Sequence, residues 1–281
     1  MNYQDLTRDT AAWLRKYALD NGLKGFVVGV SGGVDSAVVS TLCARTGLPT
    51  HLLLMDINSD PVQSERASRH ASWLGDTHSN VQWRYVSHLL EAFYLLKTGV
   101  APQALSTMAV VIDGMEYRSP QEQLADANLK SRMRMLCLYW EAQMTHSLVV
   151  GTGNKVEDHG VYFFTKYGDG GVDISPIADL YKSEVRAVAQ YLGVSQEIVD
   201  APPTDGLWEA GHTDESQLGA TYDELEWAMQ CMARGGLTAC LLDGEEVTNR
   251  QIEVLDIYSK FNKAGRHKVD PIPVFPTEAY R

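Results

Sequence analysis

Short apolar runs alternate along the chain with stretches of helical character. Residues 26–30, 52–55 and 148–150 are continuously apolar, which is typical of strands that are buried on both faces. Between the strands, residues 37–44 and 62–74 have the composition and periodicity of helices. Because doubly buried strands that alternate with helices form parallel sheets, the pattern predicts an α/β fold with a doubly wound parallel sheet flanked by helices.

The C-terminal third of the chain is predicted to be helical. Thr221 with Glu224, and Thr248 with Gln251, match the capping box in which two amides at a helix start are satisfied reciprocally. An apolar stripe at helical spacing follows, formed by Val254, Ile257, Tyr258 and Phe261. Such a stripe indicates either core packing or a dimer contact, and not a cofactor site.

Composition narrows the class of protein. The chain has 281 residues and a net charge of −12, with 44% hydrophobic and 21% charged residues, values that fit a globular protein and exclude disordered and fibrous classes. The acidic balance argues against a nucleic-acid partner. No apolar run is long enough for a membrane span, and the first residues lack the features of a signal peptide, so we expect a soluble, cytoplasmic protein.

The four cysteines lie far apart, with no CxxC pair and no histidine at ligand spacing. We interpret them as buried thiols, not as disulfides or zinc ligands. No repeat or linker is visible, so a single domain over residues 1–281 is expected. Three long loops, at residues 99–120, 167–176 and 201–219, are candidates for a lid, since long loops in compact domains are often functional.

The loop after the first strand carries the first chemical signal. Residues 31–36, with the sequence SGGVDS, open a helix, and consecutive glycines let backbone amides approach an anion at the positive end of that helix. A tight strand–helix turn with a capping serine explains the same residues. Asp35 favours the anion site, because a carboxylate there requires a cation such as Mg²⁺ to bridge it to phosphate.

This loop resembles the signature SGGxDS of the ATP pyrophosphatase, or PP-loop, family. The resemblance implies that the loop holds the pyrophosphate of ATP while a substrate carboxylate or carbonyl is adenylated. The family includes several ligases and tRNA-thiolating enzymes, and the loop alone does not distinguish them.

Two later segments distinguish them. Residues 151–157, GTGNKVE, follow a predicted strand, where Thr152 would face the crevice at the strand end, although a helix-start turn explains the segment equally well. Residues 163–176, FFTKYGDGGVDISP, contain three glycines that a packed core does not require, and Lys182 begins the next predicted helix. Together with SGGVDS, these segments resemble the ammonia-dependent NAD synthetases.

The resemblance extends from about residue 5 to residue 275. Further matches are the arginine-bearing segment 128–135, the PTDGLW loop at 203–208 and the basic cluster at 266–268. The chain departs from many members of the family in one place, because the stretch from Glu157 to Lys166 is one residue longer.

The resemblance implies a role for each matching residue. The residues implied to cradle the ATP phosphates are Gly29, Val30, Ser31, Gly32, Gly33, Val34, Asp35 and Ser36. Those implied to contact ATP elsewhere are Thr152, Lys182 and Thr204, and those implied to bind Mg²⁺ are Asp35 and Glu157. Those implied to hold deamido-NAD are Arg132, Lys166, Asp173, His267 and Lys268. The resemblance also implies catalytic roles for Asp35, Lys182 and Asp173. Without the resemblance to this family, Arg132 and Lys268 would be interpreted as solvated surface cations.

The implied reaction has two steps. The nicotinate carboxylate of deamido-NAD attacks the α-phosphorus of ATP, and ammonia then displaces AMP from the acyl adenylate to give NAD⁺. No residues remain for a glutaminase domain, and a homodimer is implied. Two alternatives stay open: another PP-loop ligase that adenylates a different carboxylate, and a non-catalytic ATP-binding regulator.

Overall fold

A four-stranded parallel sheet forms the centre of the molecule. The computed structural model describes residues 1–57, 59–86, 88–98, 119–204, 206–207, 213–242 and 246–277. The strands are β1 (Gly25–Gly29), β2 (Thr50–Leu54), β3 (Val81–Tyr85) and β4 (Ser147–Val149), in the order β3-β2-β1-β4. All three strand pairs are parallel, so the predicted α/β fold is confirmed.

Helices connect and cover these strands. The α-helices are α1 (Tyr3–Asp20), α2 (Val34–Arg45), α3 (Pro61–Thr77), α4 (Leu89–Thr98), α5 (Pro120–Thr145), α6 (Lys182–Leu192), α7 (Gln196–Val199), α8 (Asp214–Leu218), α9 (Tyr222–Ala233), α10 (Leu237–Leu242) and α11 (Asn249–Gly265). A π-helix covers Val156–Val161, and a 3₁₀ turn covers Arg266–Lys268. The predicted loop at 99–120 falls almost wholly outside the described residues.

Each apolar strand contributes to both faces of the sheet. Phe26 and Val28 of β1 pack in a cluster with residues of α1, α2 and α6. Val27, between them, packs in a different cluster with Met135 and Leu138 of α5. Because successive side chains on a strand point to opposite faces, a continuous apolar run is what a sheet covered on both sides requires.

The strand β3 was not predicted, and its surroundings explain why. It lies at the edge of the sheet, and of its five residues only Val81 is buried. A strand with one covered residue has no apolar run, and its sequence, VQWRY, gives no signal of burial on both faces.

The C-terminal helices form a second apolar cluster beside the sheet. Both predicted capping boxes are present, at the starts of α9 and α11. Val254 of the predicted stripe is buried, and the other three residues of the stripe pack against the same cluster. The stripe is therefore core packing, which decides between the two alternatives that the sequence left open.

None of the four cysteines takes part in a disulfide in the described part of the chain. Cys43, Cys231 and Cys240 are buried, and Cys137 is partly buried. Among the described residues, no helix is long and apolar enough to cross a membrane.

His70 makes the stability of the fold depend on pH. It is buried on α3, and its Nε2 lies 2.9 Å from the Ser40 hydroxyl of α2. Burial lowers the pKa of His70 from 6.5 to about 4. Because His70 binds a proton at higher pH in the unfolded chain than in the folded chain, the His70 contribution to stability is complete above pH 6.5. This contribution is lost as the pH falls towards 4.

We predict that His70→Gln removes much of this dependence. Between pH 8 and pH 5 the His70 contribution to the free energy of unfolding should fall by about 2 kcal/mol in the wild type. Urea unfolding at both pH values measures the difference, with the exposed His159→Gln as the control. An equally large loss of stability in His70→Gln and in the wild type would contradict the assignment.

Candidate active site

The SGGVDS loop forms a tight turn between β1 and α2. The Ser31 amide donates to the Ser36 hydroxyl at 3.2 Å, and the Gly33 amide donates to the Ser31 hydroxyl at 3.3 Å. Gly32 has a φ of +84°, and a Cβ there would lie 2.3 Å from the backbone oxygen of Gln63. Only glycine fits that position, and the loop leads directly into the N-terminus of a twelve-residue helix, the arrangement that binds phosphate in other proteins.

A buried lysine connects this loop to two other parts of the chain. The Lys182 ammonium lies 2.6 Å from Asp35 Oδ2 and 3.1 Å from Glu157 Oε1. Only 3% of Lys182 is exposed, so these carboxylates replace the water that the ammonium loses. Although burial lowers the pKa of Lys182, the two carboxylates outweigh burial and raise the pKa above its ordinary value. The lysine therefore stays charged.

Three residues that the sequence did not single out complete this cluster. The Tyr222 hydroxyl lies 2.5 Å from Glu157 Oε1 and 3.2 Å from Asp214 Oδ2, and its ring centroid is 4.6 Å from the Lys182 nitrogen. The Asn154 amide donates to Asp35 Oδ1 at 3.2 Å. We call these six residues the buried charge cluster: Asp35, Asn154, Glu157, Lys182, Asp214 and Tyr222.

The π-helix places Glu157 in the buried charge cluster. Val156 and Val161, at its two ends, are both buried in the C-terminal apolar cluster. A π-helix holds more residues in each turn than an α-helix does, and such turns are common at functional sites.

The pair Asp35 and Glu157 fits a magnesium ion that is shared with a bound phosphate. No group of three or more metal-ligating side chains occurs among the described residues. Mg²⁺, however, is usually held by one or two carboxylates together with the phosphates of a substrate, and not by a complete cage of protein ligands. The Asp35 and Glu157 carboxylates converge on one ammonium, so both reach the same part of the site.

A first cavity opens beside the loop, at the carboxyl ends of β1, β2 and β4. Residues that line it include Gly29, Ser31, Met55, Arg134, Gly151 and Thr152. Arg134 donates to the Met55 carbonyl at 3.2 Å and to the Ser59 hydroxyl at 3.2 Å, so it fixes the chain that follows β2. Thr152 lies where the sequence predicted it, at the edge of a parallel sheet where such folds bind ligands. Thr204 is nearby, and its hydroxyl accepts from the Gly206 amide at 3.2 Å.

A second cavity adjoins the first, and Asp169 and Leu207 line both. Four predicted site residues line the second cavity: Arg132, Lys166, His267 and Lys268. The three cationic side chains among them also donate to backbone carbonyls, and Arg132 Nε donates to the Lys166 carbonyl at 3.2 Å. The Lys268 ammonium donates to the Tyr162 and Phe164 carbonyls at 2.8 and 2.7 Å, and the Lys166 ammonium donates to the His267 carbonyl at 2.9 Å.

Comparisons with known proteins agree with this geometry. The sequence profile of the NAD synthase family matches residues 6–270. The chain belongs to the NAD synthase family. It is 36% identical to the NH(3)-dependent NAD(+) synthetase of Alkaliphilus metalliredigens, over 93% of this chain and 95% of that protein. It is 34% identical to the enzyme of the same name from Syntrophomonas wolfei, over 99% of both chains. Among solved structures, the NMN synthetase of Francisella tularensis is 28% identical with a TM-score of 0.73, over 98% of this chain and 99% of that one.

In this NAD synthase family member, Asp173 is the predicted residue whose surroundings differ most from its expected role. Its carboxylate accepts from the Tyr139 hydroxyl at 2.9 Å and from the Val149 amide at 2.8 Å. These contacts tie the segment after the glycine-rich loop to α5 and β4. Asp173 is not among the residues that line the two cavities, and neither are Asp35, Glu157 and Lys182, so the catalytic and metal-binding roles of all of them stay predictions.

We predict that Tyr222→Phe destabilises the folded chain. The Tyr222 hydroxyl lies within hydrogen-bond distance of the Glu157 and Asp214 carboxylates. Without it, these carboxylates have one hydrogen bond fewer in a site with little water. Removing one partner of a buried polar group costs about 1–3 kcal/mol. Urea unfolding at pH 7 measures the loss. The control is Tyr17→Phe, on the exposed side of α1, which should change the free energy of unfolding by less than about 0.5 kcal/mol.

Proposed function

We propose that the chain catalyses the ATP-dependent amidation of deamido-NAD with ammonia, which yields NAD⁺, AMP and pyrophosphate. The observation that carries this proposal is the buried charge cluster, which includes Asp35 of the phosphate loop, and the start of that loop lines the first cavity. Membership of the NAD synthase family, and relatives named NH(3)-dependent NAD(+) synthetases that match over nearly their whole length, support the same reaction.

We assign the first cavity to ATP. The loop from Gly29 to Ser36 is proposed to hold the phosphates, because its amides and hydroxyls surround the positive end of α2. Thr152 and Thr204 are proposed to contact the nucleotide from the two sides of the crevice. Asp35 and Glu157 accept from two of the three N–H groups of the Lys182 ammonium. The third N–H group is proposed to donate to a phosphate oxygen of ATP.

We assign Mg²⁺ to the pair Asp35 and Glu157. When bound, the ion would offset the charge of the ATP phosphates as the nicotinate carboxylate approaches them. The protein contributes the two carboxylates and their orientation, which Asn154, Tyr222 and Lys182 fix through the contacts in the buried charge cluster.

We assign the second cavity to the dinucleotide that carries the nicotinate. Both substrates are polyanions and the chain has a net charge of −12, so recognition must rest on local cations. Arg132, Lys166 and Lys268 provide these cations around one cavity, which His267 also lines. The two cavities share Asp169 and Leu207, which allows the carboxylate of one substrate to meet the α-phosphorus of the other.

The second step requires that ammonia, and not water, reaches the acyl adenylate. The glycine-rich segment around Asp169 borders both cavities and is proposed to restrict the entry of water. Its position is fixed by the Ser131 hydroxyl, which donates to Asp169 Oδ1 at 2.6 Å, and by the Thr165 amide, which donates to the same oxygen at 3.0 Å. Asp173 is proposed to orient ammonia or accept its proton.

A second candidate substrate is the corresponding mononucleotide. The structural neighbour with a TM-score of 0.73 is named an NMN synthetase, and its 28% identity extends over almost the whole chain. Deamido-NMN carries the same nicotinate carboxylate, so the same adenylation would apply. The curated relatives at 34–36% identity favour the dinucleotide.

The deciding experiment mixes the protein with ATP, Mg²⁺ and ammonium, together with deamido-NAD or deamido-NMN, and measures AMP and the amidated product. We expect NAD⁺ and AMP in equal amounts and a higher kcat/KM for deamido-NAD. Glutamine in place of ammonium should support negligible turnover. AMP formation that depends on another carboxylate would indicate a different ligase, and ATP binding without turnover would indicate a regulator.

We predict that Asp35→Asn reduces kcat by at least about 100-fold and leaves the fold intact. The substitution removes one charge from the proposed magnesium site while it keeps the size of the side chain. The rate of AMP formation measures the effect, and circular dichroism checks the fold. Asp179→Asn, at an exposed carboxylate outside the buried charge cluster, is the matched control. Normal turnover in Asp35→Asn would refute the metal assignment.

We also propose a homodimer, with α5 at its interface. Leu136, Trp140 and Met144 are 70%, 59% and 64% exposed and lie four residues apart, on one face of this helix. At one edge of this face, the Arg84 guanidinium of β3 lies 5.7 Å from the Trp140 ring centroid.

We predict that Leu136→Glu raises the Kd of the dimer by at least about 30-fold, because it buries a charge in an apolar interface. Light scattering after size exclusion, over a range of protein concentrations, measures the change. Leu19→Glu, at an exposed leucine of α1, is the control and should leave the mass unchanged. A mutant that dimerises as tightly as the wild type would place the interface elsewhere.

A further inference from the structure

One buried amide in the first cavity has an unmet hydrogen-bond acceptor. Among the described residues, two buried side-chain polar atoms have no hydrogen-bond partner, Gln63 Oε1 and Gln217 Nε2. Gln63 is only 3% exposed, whereas Gln217 is partly exposed. Since nearly all buried polar atoms in folded proteins are paired, an unpaired one at a ligand cavity suggests that the ligand supplies the partner.

Gln63 is held in place by its backbone and by its neighbours. It lies in the first turn of α3 and lines the first cavity together with Ser31 and Ser64. Its backbone oxygen packs against Gly32 of the phosphate loop, and its side-chain oxygen packs against Gly206, where a Cβ would lie only 2.8 Å away. The amide therefore spans the gap between the phosphate loop and the segment at 206–207.

Several of the hydrogen-bond donors near Gln63 bind other acceptors. Arg66 donates from Nε to the Gly32 carbonyl at 3.3 Å. Arg134 donates to the Met55 carbonyl, to the Ser59 hydroxyl and, at 3.4 Å, to the Gly206 carbonyl. The Gly206 amide donates to Thr204. Gln63 Oε1 thus stays unpaired although donors are close, which is costly for a buried carbonyl oxygen.

We propose that Gln63 contacts the nucleotide and that its amide oxygen accepts a hydrogen bond from a neutral donor of ATP. This inference rests on the proposed function, which places ATP in the first cavity. A carbonyl oxygen repels phosphate oxygens, so the donor belongs to the nucleoside part, either the amine of adenine or a hydroxyl of ribose. Glutamine amides pair well with the amine and ring nitrogen of adenine in other complexes.

The proposal predicts two effects of opposite sign. Gln63→Met keeps the length of the side chain and removes the unpaired oxygen, so the ligand-free protein should unfold at the same temperature or a higher one. The same substitution removes a contact with ATP, so its Kd for ATP should rise about 3- to 10-fold. A residue that only supports the structure would not combine an unchanged or raised Tm with weaker ATP binding.

The experiment measures direct binding by calorimetry, with the full chain and without the second substrate. The ligands are ATP, purine riboside triphosphate, which lacks the amine, and the 2′-deoxy and 3′-deoxy forms of ATP. In the wild type, the analogue that lacks the donor should bind about 3- to 10-fold more weakly than ATP. In Gln63→Met, ATP and that analogue should bind equally. The exposed Gln82→Met is the control and should behave as the wild type does.

The outcomes separate this inference from the proposed function. If the wild type binds ATP and Gln63→Met binds every ligand as the wild type does, the inference is wrong and the proposed function stands. A lower Tm in Gln63→Met with an equal loss of affinity for all ligands also refutes it, because that result indicates a structural role. If the wild type does not bind ATP, both the proposed function and the inference are refuted.

Discussion

The arrangement of the site depends on one ammonium group that is shared by two carboxylates. Asp35, Glu157 and Lys182 come from the start of α2, the π-helix and the start of α6, and 147 residues separate Asp35 from Lys182 in the sequence. A buried charge is costly unless it is paired, so the contacts of Lys182 with both carboxylates favour one packing of the three segments. The phosphate loop, which contains Asp35, is thereby fixed relative to the C-terminal helices.

Much of the fold could be predicted because its signals are local. The strands β1, β2 and β4 are continuous apolar runs, and the capping boxes at Thr221 and Thr248 involve residues three apart. The edge strand β3 could not be predicted in this way, because its pairing with β2 comes from a neighbouring strand and not from its own apolar residues. The π-helix at Val156–Val161 was not predicted either.

The candidate site was predictable to a smaller extent. The glycines and serines of the phosphate loop act within six residues, so their arrangement can be recognised in the sequence. Tyr222 and Arg134 were missed because their partners lie 65 and 79 residues away and no local pattern specifies them. Lys166 and Lys268 were predicted as ligands of the dinucleotide, and they do line the second cavity. The sequence did not indicate that their ammonium groups also bind backbone carbonyls.

The charges of the buried cluster agree with the binding of a phosphate and a divalent cation. Asp35, Glu157 and Asp214 bring three carboxylates to one lysine. Burial and the Asp35 carboxylate raise the pKa of Glu157, and they outweigh Lys182 and Tyr222, which lower it. A carboxylate whose pKa is raised by burial and by a neighbouring carboxylate is stabilised when a cation arrives, because the added charge offsets both effects. Lys182 does not need to leave its carboxylates to contact a phosphate, since an ammonium has three N–H groups and Asp35 and Glu157 occupy two. The same residues can therefore hold the fold together and serve the ATP binding that we propose for them.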